Sequence, residues 1–162
     1  MVLGLWSLWS GCCGTNGMSR DHRRLRVFND AHALTLAIYR ETQGFPKDEW
    51  FGIRMQMRRA ALSVPTNIVE GCARLTTRDC CNFLNIAVGS ASELAYLLRV
   101  ANELRFIPRE PGVELLSRAD AIVRQLKRLH SEMDTLARLE THGPPRMSRP
   151  KDQSPKTKDN RL

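Results

Sequence analysis

The sequence predicts an all-α protein, an antiparallel up-down four-helix bundle with flexible basic termini, and three observations carry that reading. Apolar residues recur at alternating spacings of three and four through four separate stretches. No window shows sustained period-two alternation. Aromatic residues are only 6% of a chain that is 42% hydrophobic, so the core must come from aliphatic residues and alanine, which suits helix-on-helix packing. A length of 162 residues fits one domain around one core.

The first helix is expected from Asn29 to Gln43, with Val27, Ala31, Leu34 and Ile38 on one face. Gly44 is a natural C-terminal stop, and Pro46 enforces it. The second is expected from Lys47 to Ala73. Pro46, Asp48 and Glu49 read as its opening, with carboxylates at the positive end of the dipole. Ile53, Met57, Ala61, Val64, Ile68 and Cys72 form its inward stripe. Pro65 interrupts this stripe and removes a hydrogen bond to the Ala61 carbonyl. Either a kinked helix or two shorter helices broken near Ser63 would result.

The third helix is expected from Thr77 to Arg105. Thr76 is placed as N-cap, with Asp79 three residues on as a carboxylate capping box. Cys80, Leu84, Ala87, Ala91, Leu94, Leu98 and Ala101 alternate without a break, and Phe83, Leu97 and Leu104 add a second apolar stripe. The centre, residues 87–92, is almost entirely small. Gly89 costs a helix about 1 kcal/mol relative to alanine, which a close approach by another helix can offset. The fourth helix is expected from Gly112 to Leu139, after Pro108 and Pro111. Leu115, Ala119, Ile122, Leu126, Leu129, Met133 and Leu136 keep its heptad, and Gly143, Pro144 and Pro145 end it. Short turns between such helices make neighbours antiparallel, with left-handed packing near 20°.

The formal charge of +8 is unevenly placed. Residues 1–27 carry four Arg and one Asp, and residues 143–162 carry six Lys or Arg and two Asp. The middle, 28–142, holds fifteen basic and fourteen acidic residues and is nearly neutral. The division expected is a flexible N-terminal extension over 1–26, the bundle over 27–142 and a disordered basic tail over 143–162. Basic tails are solvated ends in most proteins and a lever on nucleic acids or anionic surfaces in some. The opening stretch MVLGLWSLWSGCCG lacks a basic residue ahead of its apolar run. It reads as an upstream extension with translation starting at Met18, more simply than as a signal peptide or a lipoprotein site at Cys12. No window approaches the roughly 20 apolar residues of a membrane span.

No catalytic constellation emerges: there is no nucleophile elbow, Walker sequence, dinucleotide fingerprint or His-Glu-x-x-His. Cysteines at 12, 13, 72, 80 and 81 lack zinc spacing and fit a reduced, cytoplasmic compartment. Glu70, Glu93, Glu103 and Glu114 lack the Glu-x-x-His partners of a di-iron bundle, so no metal and no cofactor are expected. What remains is arginine on the second helix and its exit: Arg54, Arg58, Arg59, Arg74 and Arg78. Arginine gives planar, multi-donor contacts to phosphate. From the residues alone, the simpler reading pairs Arg58 or Arg59 with Glu70, Glu93 or another bundle carboxylate and leaves Arg54 solvated. Asn67 and Glu70, near the proline, read as structural hydrogen-bonding residues.

Three runs carry a family resemblance: residues 45–49 (FPKDE), 56–61 (QMRRAA) and 63–71 (SVPTNIVEG). With Phe83-Leu84-Asn85-Ile86-Ala87 and Gly89-Ser90-Ala91-Ser92-Glu93-Leu94, they resemble the bacterial four-helix bundle proteins first noticed as open reading frames in intervening sequences of 23S rRNA genes. The likeness covers about residues 25–140 and leaves out both flanks. It implies the bundle and assembly into a ring, usually a homopentamer. A related branch, the accessory variability proteins of diversity-generating retroelements, binds nucleic acid and a reverse transcriptase through a basic surface. The resemblance carries over Arg58 and Arg59 as contacts, with Arg74 just beyond the Glu-Gly match.

The function expected is therefore a non-catalytic, oligomeric, cytoplasmic protein that binds RNA or DNA through an arginine-rich surface. The alternative is a protein-interaction scaffold, for example one that docks a reverse transcriptase. Phosphate binding predicts steep weakening with salt, and docking predicts dependence on apolar surface residues.

Overall fold

Each of the four apolar stripes folds as a helix that buries it. The structure, a computed structural model, describes residues 21–142. Helix α1 spans Arg26–Glu41, α2 Ile53–Cys72, α3 Thr77–Glu103 and α4 Arg109–His142. Helix α1 packs on α2 and α4, while α3 packs on α2 and α4, which closes an antiparallel four-helix bundle. At 1.5 Å per residue, α1 is about 24 Å long and α4 about 50 Å. Expectations placed on residues 1–20 and 143–162, including the Met18 start and the basic tail, lie outside the described residues.

The core matches the stripes closely. Val27, Ala31, Leu34 and Ile38 of α1, Met57, Ala61, Val64, Ile68 and Cys72 of α2, and all seven expected residues of α3 are buried. From α4 come Leu115, Ala119, Ile122, Leu126 and Met133. Ala31, Ala61, Ala91 and Ala119, one from each helix, meet with Leu34, Val64, Leu94 and Ile122 in a layer at mid-height. The second stripe of α3 divides: Phe83 and Leu97 are partly buried, whereas Leu104 is 54% exposed.

Several boundaries differ from expectation for visible reasons. Helix α1 begins three residues early, because a 3-10 turn over His22–Arg24, capped by Asp21, leads into it. Pro46, Asp48 and Glu49 do not open α2. They lie in and beside a separate 3-10 turn, Lys47–Glu49, and α2 begins after Gly52. Glu49 still acts on the helix, since its carboxylate accepts a hydrogen bond from the Ile53 amide at 3.1 Å. Pro111 lies within the first turn of α4, where its missing N–H would have had no intrahelical partner. Thr76 caps α3 as expected, accepting from the Asp79 amide at 3.0 Å.

Pro65 does not split α2, which runs unbroken through it. The carbonyl of Ala61, deprived of its usual partner, lies 2.8 Å from the hydroxyl of Thr35 on α1. Thr35 is buried, and its Oγ1 also lies 2.9 Å from the Ala31 carbonyl, so one proton is shared between two acceptors. A neighbouring helix thus supplies the donor that the proline lacks.

The small centre of α3 acts mainly inside the bundle, through Ala87 and Ala91. Gly89 faces open space, with nothing within 4 Å of where a Cβ would sit. The close helix approach is at Gly71, where a Cβ would come within 3.1 Å of Phe83 and 3.3 Å of the Cys80 carbonyl. Helix α3 ends in a Schellman motif: the Phe106 amide donates to Ala101 at 2.9 Å and the Arg105 amide to Asn102 at 3.1 Å. Arg105 sits at φ 58°, a left-handed position that glycine usually fills.

Candidate nucleic-acid interface

The five arginines singled out by sequence lie in two groups. Arg54, Arg58 and Arg59 occupy the first half of α2, near the α1–α2 connection. Arg74 and Arg78 flank the α2–α3 turn at the opposite end. Twenty residues of mostly helical rise separate Arg54 from Arg74, about 30 Å along the bundle. Adjacency in sequence does not make them one patch.

Arg58 is committed to the fold. Its Nε donates to the Thr42 hydroxyl at 2.8 Å and a terminal nitrogen donates to the Tyr39 carbonyl at 3.1 Å. The guanidinium also lies over the Tyr39 ring, 4.8 Å from its centroid. It therefore satisfies the C-terminal end of α1, whose last carbonyls have no intrahelical donor. Carboxylate pairing of Arg58 or Arg59 with Glu70 or Glu93 does not occur, because Arg58 turns toward α1 and Arg59 is exposed. No ion pair joins Arg59 or Glu93, also exposed, to any described residue.

Arg54 lies 5.1 Å from the Trp50 ring centroid and is partly buried rather than simply solvated. Arg74 lies 4.4 Å from the Phe83 ring and pairs with Glu70 at 3.8 Å. Arg78, in the first turn of α3, is exposed. Asn67 donates to the Ser63 carbonyl at 2.8 Å and to its hydroxyl at 3.0 Å. That hydroxyl meets Ser90 of α3 at 2.8 Å, so Asn67 and Ser63 tie α2 to α3 beside the proline.

Sequence reasoning missed the rings that support these cations. Trp50 stands four residues before Arg54, a spacing that could have drawn attention; Tyr39 and Phe83 come from other helices and leave no local signal. Beyond these five, the Arg23 side chain and then its backbone amide donate to the Asp21 carboxylate, at 3.0 and 3.1 Å, and hold that carboxyl below its ordinary range. Among the described residues no group of three or more His, Cys, Asp or Glu side chains is placed to hold a metal ion. No helix among them is long and apolar enough to cross a membrane.

The model of the 23S rRNA-intervening sequence protein family matches residues 23–128. The chain belongs to that family. Its matched span takes in all of α1, α2 and α3 and more than half of α4. Among solved structures, this intervening-sequence protein is similar to a Bacteroides thetaiotaomicron protein described as of unknown function and from the S23 ribosomal protein family. The two share 23% sequence identity at a TM-score of 0.60, over 64% of this chain and 97% of the other. That likeness supports the fold. No curated protein matches the chain.

Proposed function

We propose that this intervening-sequence protein is a non-catalytic, oligomeric, cytoplasmic bundle that binds nucleic acid through arginines of α2 and the α2–α3 turn. The observation that carries the reading is the seating of two of these arginines, Arg54 and Arg74, over the rings of Trp50 and Phe83. A guanidinium steadied against a ring is placed in advance for contacts to phosphate oxygens, and ring–cation surfaces also stack on bases. Arg59 and Arg78 add exposed charge. Membership of a family named for 23S rRNA intervening sequences is compatible with a role beside RNA.

Assembly as a homo-oligomer, a ring of five on the family resemblance, is part of the proposal. It is supported by the exposed Leu62 of α2 and by Ile86 and Tyr96 of α3, large apolar side chains on the bundle surface. A second reading, a scaffold that docks a protein such as a reverse transcriptase, is favoured by the α1–α2 connection, where Phe51 is 84% exposed beside Trp50 at 49%. Native mass spectrometry of the full chain with cellular RNA across a salt series tests both. The proposal expects an oligomer that holds RNA at low salt and releases it as salt rises. An oligomer that ignores RNA at every salt removes the nucleic-acid reading and leaves the scaffold, and a stable monomer removes the assembly.

A further inference from the structure

Resting on the nucleic-acid reading above, we infer that the strand bound is single, with its bases stacked on rings exposed along the α1–α2 face. Charge singles out this pair of helices. Residues 31–40 and 50–69 hold four arginines, Arg40, Arg54, Arg58 and Arg59, and no Asp or Glu. Taking these four from the fifteen basic residues of 28–142 leaves eleven against fourteen acidic, a net of −3. Helix α1 packs on α2, so the two acid-free segments lie side by side. Of the carboxylates that border them, Asp30 accepts from Gln125 of α4 at 3.0 Å, and Glu49 from the Ile53 amide.

Rings follow the same face. Phe28, His32 and Tyr39 recur on α1 at spacings of four and seven, which sets them in one line. Phe28 stacks with His32 at a centroid distance of 6.2 Å, and the His22 ring meets Phe28 edge-on at 4.7 Å. At the far end of this line Arg58 lies over Tyr39, and one turn along α2 Arg54 lies against Trp50. The rise from Phe28 to Tyr39 is about 16 Å, and the step from Arg58 to Arg54 adds about 6 Å. His32, Tyr39, Trp50 and Phe51 are all exposed.

This combination fits unpaired bases. Every base has a face that can lie on an aromatic ring, and a duplex keeps those faces covered by its own stacking. The phosphates between stacked bases meet Arg54 and the exposed Arg40 and Arg59. Arg58, spent on the end of α1, serves by fixing Tyr39 rather than by reaching a phosphate. An acidic peptide would use the arginines and leave the ring faces without a partner. A lipid-binding helix separates its apolar face from its charged one, whereas here guanidinium and ring share a patch.

The test measures binding of the full chain to a fluorescein-labelled oligouridine, and to the same strand annealed with oligoadenosine, across a salt series. Phosphate attraction alone favours the duplex, which has the denser charge, so tighter binding of the single strand reports the rings. Trp50→Ala with Phe51→Ala should weaken single-strand binding by about five- to a hundredfold, the loss of a stacked base. The slope of log affinity against log salt should stay unchanged in that variant, since no charge is removed. Trp50→Tyr with Phe51→Tyr keeps the ring faces and should restore the affinity. Arg54→Gln should instead reduce the slope by about 0.7, for the one phosphate it no longer neutralises. Equal or tighter binding of the duplex, full affinity in the alanine variant, or a loss that tyrosine does not restore overturns the inference and leaves the nucleic-acid reading standing. Binding of polyglutamate or phosphatidylserine vesicles as tight as that of oligouridine also overturns it. Absence of binding to either nucleic acid at low salt sinks the underlying reading as well.

Discussion

At the aromatic end, two connections close over the core: Phe45 and Phe106 meet with ring centroids 5.5 Å apart, and Arg58 ties off the last turn of α1. At the opposite end the α2–α3 turn is short, and its tip residue Leu75 is 87% exposed. Apolar burial and backbone satisfaction hold the first end together, while the second is closed by a turn with an exposed tip. The contrast teaches that arginines alike in sequence play different parts. Arg58 stabilises a helix terminus, and Arg78 reaches solvent.

Substitutions at the two ends should therefore separate stability from binding. The largest effect is expected from Phe45→Ala, which empties a buried site at the aromatic end and should cost about 3–5 kcal/mol in urea unfolding. The matching change at the α2–α3 turn, Leu75→Ala, should stay within about 0.5 kcal/mol. Equal costs would break the comparison.

Arg58→Ala should cost about 1.5–3 kcal/mol, because it removes two charge-assisted hydrogen bonds and a ring contact from the end of α1. Arg58→Lys should recover little of that, since an ammonium cannot reproduce the forked geometry. A neutral Arg58→Ala would return this side chain to the set of surface cations.

Midway between the ends, Thr35→Val should cost about 1–3 kcal/mol by orphaning the Ala61 carbonyl. Pro65→Ala supplies an amide for that carbonyl, so the double variant should lose less than the sum of its parts, a coupling readable in a double-mutant cycle. Additive losses would show that Thr35 does not serve the proline. A smaller gain is expected from Arg105→Gly, about 0.5–1 kcal/mol, because glycine adopts φ 58° without the Cβ penalty.

Much of the fold can be read from the sequence, because heptad stripes report directly on which helix face is buried and Thr76 with Asp79 is a local signal. The α2 opening cannot, since Asp48 and Glu49 fit a helical first turn and a 3-10 turn equally well by composition, and Gly52 decides between them only in context. The continuity of α2 through Pro65 depends on Thr35, 26 positions from the carbonyl it serves. For the site, the arginines are legible as residues and not as an arrangement. Their split into two groups follows from helix length.

The most direct test of the nucleic-acid reading is ultraviolet crosslinking of the full chain to RNA, followed by peptide mapping. Crosslinks are expected on peptides that carry Arg54 and Arg59 and on the α2–α3 turn with Arg74 and Arg78. Trp50, which lies against Arg54, is a side chain well suited to crosslink with bases. Crosslinks confined to peptides that carry none of these arginines would contradict the account.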